Sequence, residues 1–472
     1  MATRRDFLKT ATLASAGLAL GSSMKLNASS YRQIIGANDK VNLACVGIGF
    51  RGNEIIKEIA KTNMANIVAL CDVDMGAKHT QEIMNMFPNA KLFKDFRVMF
   101  DKMGNQFDAV AGAIPDFAHY PLAIQAIKEG KHVYIEKPMC RTFLEGELMI
   151  KAAQKYPKVV TQMGNQGHSE GNYFQFKAWK DAGIIKDVTA VTAHMNSARR
   201  WHGWDSRIFK YPEAEPMPAG IDWDTWNMAS QYHEYNDKYH RGNWRCWYDL
   251  GMGALGDWGA HLIDTVHEFL ELGLPYEVNP TLLKEHNDYF YPMSSTLVFR
   301  FAARKNMPAL DITWQDGLDN IPTVPAGYGT SDIDPNVPAV AGGKLQPTKL
   351  NPGKIIYGKG LTFKGGSHGS TLSIIPSEKA EEMKSKLPEV PKSTSNHFAN
   401  FFLACQGKEK TRSPFEIAGP LSQVFCLGVI AQRMNTKIDF DPVKKQITNN
   451  PFANAMLAGL PPRKGWEEYY KI

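Results

Sequence analysis

The sequence predicts an α/β protein in two parts: an N-terminal doubly wound parallel sheet, then a C-terminal α/β (α+β) domain carrying a large open mixed or antiparallel sheet. Three observations predict it. The chain has 472 residues, more than one hydrophobic core usually supports. Short apolar runs alternate with helix-periodic segments between residues 41 and 161, the pattern of parallel strands joined by right-handed crossovers. From residue 188 the strand-like runs lengthen and wide insertions separate them, which suits a mixed or antiparallel sheet.

Taken in order, residues 41–46 (VNLACV) read as a buried strand and 54–61 as a helix. Strands over 67–71, 107–111 and 132–135 then alternate with helices over 75–87 and 120–129. A helix over 145–155 and a strand over 159–161 lead out of the first domain, set at 38–163. The second domain, 164–445, holds strands over 188–195, 295–302 and 309–314 and helices over 396–406 and 420–433. Proline, glycine and charge dominate 321–350, which reads as a long surface excursion with little regular structure, and 446–472 is a C-terminal tail.

Composition is that of a globular protein, with 43% hydrophobic and 22% charged residues, and no apolar run beyond the first thirty residues reads as a bilayer span. Arg4, Arg5, Lys9 and Lys25 against Asp6 place half of the +6 formal charge in the leader, and the remainder is too weak to imply nucleic acid. The six cysteines have no metal-knuckle or disulfide-framework spacing, and Cys45 and Cys71 read as buried thiols within strands. Thr3-Arg4-Arg5-Asp6-Phe7-Leu8-Lys9 matches a twin-arginine export motif, and the modestly apolar stretch 11–20 follows it. A signal peptide over 1–30, cut near Leu26-Asn27-Ala28, places a soluble protein in the periplasm. That route carries folded proteins, so any cofactor is acquired inside the cell.

Gly47-Ile48-Gly49-Phe50-Arg51-Gly52 follows the first strand and opens a helix, the spacing that lets backbone approach a pyrophosphate at a helix N-terminus. Asp72 ends the second strand about twenty residues on, where an acidic side chain accepts from the adenosine ribose hydroxyls and favours NAD over NADP. Asp74 competes for that role. Glu136-Lys137-Pro138 leaves the strand over 132–135 in the crevice where ligands of parallel sheets bind.

Together with Ala113-Ile114-Pro115-Asp116-Phe117-Ala118-His119 and Gly130-Lys131-His132-Val133-Tyr134-Ile135, these motifs resemble the glucose-fructose oxidoreductase and inositol dehydrogenase (Gfo/Idh/MocA) family. The resemblance covers nearly the whole chain after the leader. It implies a Rossmann domain binding NAD, with contacts from the glycine loop, Asp72, Ile114, Pro115, His119, Glu136, Lys137 and Asn165. It also implies a homo-oligomer, dimer or tetramer, joined through the open sheet. Lys137 is expected to touch both the substrate hydroxyl and the nicotinamide region, with Glu136 beside the nicotinamide.

Gly251-Met252-Gly253-Ala254-Leu255-Gly256-Asp257 opens a segment that is helical to residue 272, and Asp257 and His261 share one face of it. A carboxylate beside an imidazole orients it and raises its basicity, as alcohol oxidation requires. The family likeness assigns His261 as general acid/base, Asp257 as its partner and a sugar-hydroxyl ligand, and Lys137 as a positioning and proton-relay cation. Asp264 and His267 read as structural. Asn165 and His168 of Gly164-Asn165-Gln166-Gly167-His168, with Arg200, Trp244 and Arg245, complete the expected substrate contacts. Seven of ten tryptophans (Trp201, Trp204, Trp223, Trp226, Trp244, Trp247, Trp258) fall among Arg199, Arg200, His202, Arg241 and Arg245, which suits a sugar-stacking platform and equally a packed core. No metal site is expected.

These features imply an NAD-dependent dehydrogenase that oxidises a secondary ring hydroxyl of a sugar or glycoside, giving a 3-keto glycoside for a partner lyase. Its NAD is expected to stay tightly bound and to be recycled in place. The alternatives are an NAD-dependent redox-elimination glycosidase and a non-catalytic sugar-binding protein.

Overall fold

The computed structural model describes residues 40–196, 210–240, 242–305, 307–329 and 350–472. The first sheet comprises β1 (Val41–Val46), β2 (Ala65–Cys71), β3 (Lys91–Phe93), β4 (Ala109–Gly112), β5 (His132–Glu136) and β6 (Thr161–Gly164). Its order is β3-β2-β1-β4-β5-β6 and every neighbouring pair is parallel. The strands β1, β4 and β5 are mostly apolar and nearly wholly buried because helices cover both faces of the sheet. Strand order reverses between β1 and β4, so the loops leaving them open a crevice at their C-terminal ends, the ligand position of such sheets.

The second sheet takes β7 (Ala190–Met195), β8 (Glu277–Lys284), β9 (Ser294–Phe301), β10 (Leu310–Asp316), β11 (Gly353–Tyr357), β12 (Thr362–Gly366), β13 (Ser373–Ile375), β14 (Ile438–Asp441) and β15 (Gln446–Ile447). They lie in the order β13-β12-β11-β7-β10-β9-β8-β14-β15, antiparallel throughout except for β7 beside β10. In β9 and β10 buried residues alternate with half-buried ones, so one face is packed and the other open. The helices Gly253–Phe269 and Phe415–Met434 lie against this sheet.

The two halves share their packing. One apolar cluster runs from the first sheet through both helices into the second sheet. A smaller one joins β1, the helix Phe50–Lys61 and the helix His397–Cys405 of the second half. The helix Phe415–Met434 approaches both halves without clearance. A Cβ on Gly419 would come 2.5 Å from Ile150, and one on Gly428 would come 2.5 Å from Leu255. This helix is long and apolar enough by composition to cross a membrane, but 78% of its apolar window is buried inside the protein.

Several expectations shift. The first helix starts at Phe50 rather than 54, because Gly49 is its extended N-cap. The last long helix begins at Phe415, ahead of Pro420, since Phe415 and Ala418 are both buried; Pro420 lies inside it, where packing of the apolar face outweighs the one backbone hydrogen bond that proline cannot make. The strand β3 and the helix Phe96–Met103 were not expected. Lys91-Leu92-Phe93 is too short to show a period, and the helix is announced only by its Asp95 cap, which accepts from Arg97 N at 2.8 Å. The leader, Arg199, Arg200, Trp201, His202, Trp204, Arg241 and positions 330–349 of the excursion lie outside the described residues.

Candidate active site

The crevice begins at the glycine loop. Gly47 has φ +75°, and a Cβ there would lie 2.5 Å from the Ala113 carbonyl; a Cβ on Gly52 would lie 1.8 Å from the Gly47 carbonyl. The loop therefore turns tightly against the β4 exit and leaves the amide end of the helix Phe50–Lys61 open toward the crevice. Asp72 reaches this loop from β2. Its Oδ2 accepts from Ile48 N at 2.8 Å and Gly49 N at 3.1 Å, while Oδ1 accepts from Asp74 N at 2.9 Å. Burial raises the Asp72 pKa while these three donors pull it down. Asp72 thus organises the loop from the end of β2. A donor-rich loop with a carboxylate beside it fits a dinucleotide.

Arg51 spans the crevice floor. It donates to Glu54 at 2.8 Å and to Gln166 Oε1 at 3.0 Å, and its Nε lies 3.6 Å from Glu136 Oε2. Beside Glu136 its pKa is raised above the ordinary arginine value. Glu136 is buried and also accepts from Gln166 Nε2 at 2.9 Å. Gly164 is the only residue type that fits beside it, since a Cβ would fall 2.3 Å from Glu136 Oε1. Phe50 is 64% exposed and meets His79 edge-on at 5.3 Å, so the glycine loop presents a ring at its outer lip.

Ile114 and Pro115 lie where the β4 exit meets the glycine loop: a Cβ on Gly47 would touch Ile114 at 2.6 Å. His119, expected at the cofactor, is a buried strut. Its ring nitrogens lie 2.8 Å from the Ile114 and Pro138 carbonyls, tying the β4 exit to the β5 exit. Burial pushes its pKa down to about 4 against the pull of both carbonyls.

Lys137 leaves β5 beside the start of the helix Gly253–Phe269. Its Nζ donates to Asp257 Oδ1 at 2.6 Å and to the Asp257 carbonyl at 2.8 Å. Arg245 leans on the same oxygen, Nε to Oδ1 3.5 Å, and its guanidinium lies 4.1 Å over the Trp244 ring. His261, one turn beyond Asp257, stacks on His368 with centroids 3.9 Å apart and planes inclined by 18°. Trp258 sets its edge against both imidazoles, at 5.9 Å and 5.5 Å. The structure therefore brings Lys137, Asp257, Arg245 and His261 to one crevice wall.

Two residues here were missed. Asp116, in the β4 exit, is 3% exposed and accepts from Met252 N at 3.1 Å, anchoring the start of the helix Gly253–Phe269. Burial pushes its carboxyl up to about 7, with Arg245 and Lys137 pulling down and Asp257 pushing up. His368 comes from the β12–β13 hairpin with φ +52°, over a hundred residues from His261 in sequence. No local pattern could have paired them; an isolated histidine between glycines was its only signal.

Other expectations are corrected. Asn165 is buried, and its amide nitrogen donates to the Ala260 carbonyl and to Asp264 Oδ2, both at 2.9 Å. His168 sits between Asp264 Oδ2 at 2.9 Å and Glu268 Oε2 at 2.5 Å. Burial opposes its charge, but the two carboxylates outweigh it and raise the imidazolium pKa to about 9. Both residues therefore hold the helix Gly253–Phe269 at its interior end, a turn or more beyond Asp257, instead of meeting substrate. Asp264 and His267 are structural, His267 Nε2 lying 2.9 Å from the Gly273 carbonyl. The five described tryptophans of the expected platform are all buried, with Trp223 and Trp226 stacked at 4.2 Å, so they pack as core. Among the described residues no histidine, cysteine or carboxylate group of three is arranged to hold a metal.

The parallel sheet and its glycine crevice define a dinucleotide-binding oxidoreductase architecture. The chain matches the oxidoreductase-family NAD-binding Rossmann fold of Gfo/Idh/MocA proteins over residues 41–163 and that family's C-terminal alpha/beta domain over 178–290. It belongs to the Gfo/Idh/MocA oxidoreductase family, and its first domain is an NAD-binding Rossmann domain. An inositol 2-dehydrogenase of Salmonella paratyphi B is 28% identical over 191 residues, 40% of this chain and 54% of that protein. A glycosyl hydrolase family 109 protein of Solibacter usitatus is 27% identical over 175 residues, 34% of this chain and 39% of that protein. The chain thus spans about half the length, or less, of these relatives. Two solved structures share the fold. The WlbA dehydrogenase from Bordetella pertussis, in complex with NADH and UDP-GlcNAcA, has TM-score 0.56 and 15% identity over 85% of this chain and 99% of that one. The aldose-aldose oxidoreductase from Caulobacter crescentus, complexed with glycerol, has TM-score 0.54 and 13% identity over 85% of this chain and all of that one.

Proposed function

We propose that this protein oxidises a secondary ring hydroxyl of a sugar or glycoside to the ketone, giving a 3-keto glycoside. The carrying observation is the Lys137–Asp257 contact at 2.6 Å beside His261, on the wall of an NAD crevice. Bound NAD supplies the hydride acceptor. Lys137 donates to the substrate oxygen and steadies the negative charge that forms as the hydroxyl ionises. Asp257 holds Lys137 and accepts from a neighbouring hydroxyl, and His261 takes the proton as general base. The names of the relatives, an inositol dehydrogenase and an aldose-aldose oxidoreductase, support a polyol or sugar substrate.

The reading extends to a tightly bound NAD, recycled on a second carbonyl substrate after twin-arginine export to the periplasm. Support comes from a segment of the second half that crosses the adenosine end of the crevice. Ile221 bridges to Asp74, and Asp222 N donates to the Val73 carbonyl at 2.9 Å. Lys94 donates to the Gly220 carbonyl at 3.0 Å, and Trp226 meets Phe117 at 5.1 Å. A strap in this place would slow the release of a dinucleotide bound beneath it. A homo-oligomer, dimer or tetramer, is supported by the open sheet face bearing Val298, Arg300, Asp311 and Thr313. The product ketone acidifies the adjacent C–H, so the natural partner is a lyase acting on keto-glycosides.

Denaturing the purified protein and assaying the supernatant tests cofactor retention: near-stoichiometric NAD(H) is expected, and loss of it in Lys94→Ala, which removes an exposed contact to the Gly220 carbonyl, implicates the strap. Empty protein that also fails to bind added NAD supports a non-catalytic sugar-binding protein instead. The family 109 relative favours a second reading, redox-elimination glycosidase. Release of aglycone with unoxidised sugar would select it.

A further inference from the structure

We propose that Arg463, in the C-terminal tail, is a positioning residue for cofactor binding: it fastens the segment 220–232 across the dinucleotide crevice and thereby sets how slowly NAD leaves. The inference rests on the reading of that segment as a strap and adds what holds it down.

The segment is footed on the first domain at both sides of the glycine loop. Asp222 N donates to the Val73 carbonyl at 2.9 Å and Ile221 bridges to Asp74, both just beyond the end of β2. Trp226 meets Phe117, beyond the end of β4, at 5.1 Å. In the sheet β1 lies between β2 and β4, so these contacts flank the exit of β1, where the glycine loop opens the helix Phe50–Lys61. A dinucleotide on that loop therefore lies between the two footings.

Arg463 grips the part of the segment that follows. Its backbone N donates to the Ala229 carbonyl at 2.9 Å, its Nε to the Met228 carbonyl at 3.1 Å, and its Nη2 to the Asp224 carbonyl at 2.9 Å. Its Nη1 donates to Asp224 Oδ1 at 2.5 Å. Met228, with φ +44°, stands in the left-handed region where the short helix Trp223–Asn227 ends, and this turn presents its carbonyl to the tail. A planar guanidinium fork serves such diverging acceptors together, which a point-like ammonium does not. Asp224 is 71% exposed, so the ion pair is screened and contributes little; the carbonyl contacts carry the hold.

The tail is anchored on the first domain and not on the segment it grips. Trp466 is buried against Phe96 at 6.0 Å, with the Arg97 guanidinium 4.4 Å over its ring. Tyr120 donates to the Tyr469 carbonyl at 2.8 Å, and Tyr470 donates to Glu145 Oε1 at 3.0 Å. Arg463 thus stands between a fixed anchor and the strap. Losing its side chain leaves the apolar anchor in place and frees one end of the strap.

The test loads the purified protein with NADH, mixes it with excess NAD and follows nicotinamide fluorescence as NADH leaves. Arg463→Gln is expected to raise the release rate about tenfold, the factor that one lost charge-assisted hydrogen bond corresponds to, and Arg463→Lys to raise it less. Lys464→Gln, at the neighbouring position, should release at the wild-type rate. Hydrogen exchange gives a second readout: amides of 220–232 should exchange faster in Arg463→Gln while those of β1 and β4 do not, which separates a loosened strap from a loosened fold. If Arg463→Gln does not fold, Gln231→Ala makes the same comparison with a smaller rise, since it removes only the exposed 2.6 Å contact to the Pro461 carbonyl. An unchanged release rate in the folded variant, or a faster one with 220–232 exchanging as in wild type, overturns the proposal. Rapid release already in wild type defeats the tight-retention reading, and the ratio of variant to wild-type rates still decides the role of Arg463.

Discussion

Along the helix Gly253–Phe269, Asp257 and Asp264 lie two turns apart on one face and meet different company. Asp257 borders the crevice and receives two cations, Lys137 at 2.6 Å and Arg245 at 3.5 Å, on a single oxygen. Asp264, sealed in the interior, receives His168 and Asn165, and Glu268 closes the far side of the same imidazole. The rear cluster pairs its charges within the protein and fixes where the helix sits. The front cluster keeps donors facing a ligand. The same residue types thus divide into a support and a working surface according to which end of that one helix face the crevice reaches.

Breaking the front should stop chemistry and spare the fold. Lys137→Ala is expected to lower turnover by roughly 10³-fold, while its urea midpoint stays close to wild type; comparable turnover would remove Lys137 from the mechanism. Breaking the rear should do the reverse. His168→Ala leaves the buried Asp264 and the half-buried Glu268 facing each other without a cation, an expected cost of about 3–5 kcal/mol in urea unfolding, with turnover per folded molecule much less affected.

The pH dependence of stability sharpens the contrast. His168 is raised from 6.5 to about 9, so the stability it contributes is full below 6.5 and lost as pH rises through about 9. His119 and His397 are lowered from 6.5 to about 4 and about 3, so theirs is full above 6.5 and lost as pH falls through those values. Urea midpoints measured across pH should fall on both sides of neutrality, and His168→Gln should flatten the alkaline limb alone. The smallest effect is expected from Arg245→Gln, which removes a longer contact to Asp257: KM should rise about tenfold with a smaller change in kcat.

The parts of this arrangement that were legible in the sequence are local. The glycine loop, Asp72 and Glu136-Lys137-Pro138 each sit within a few residues of a strand end, and Asp257 with His261 follows from helical spacing. The alternation of strands and helices gave the first sheet for the same reason. Burial was the part that could not be read. Asn165 and His168 have the chemistry of hydroxyl ligands, and only the packing of β6 against the helix turns them inward. The tryptophans between 223 and 258 likewise carry sugar-stacking chemistry but fill the core. Asp116 lies within a motif that carried the family resemblance but gave it no role, and His368 comes from a hairpin whose position depends on the second sheet, so no short motif announces it.

The central claim is tested most directly by incubating the NAD-loaded protein with methyl and nitrophenyl glycosides and following nicotinamide absorbance and product by mass. Reduction of the bound cofactor with matching formation of a keto-glycoside, abolished in Lys137→Ala and His261→Ala, is the predicted result. Full activity in both variants, or NAD-loaded protein that neither reduces its cofactor nor alters any glycoside, would contradict it.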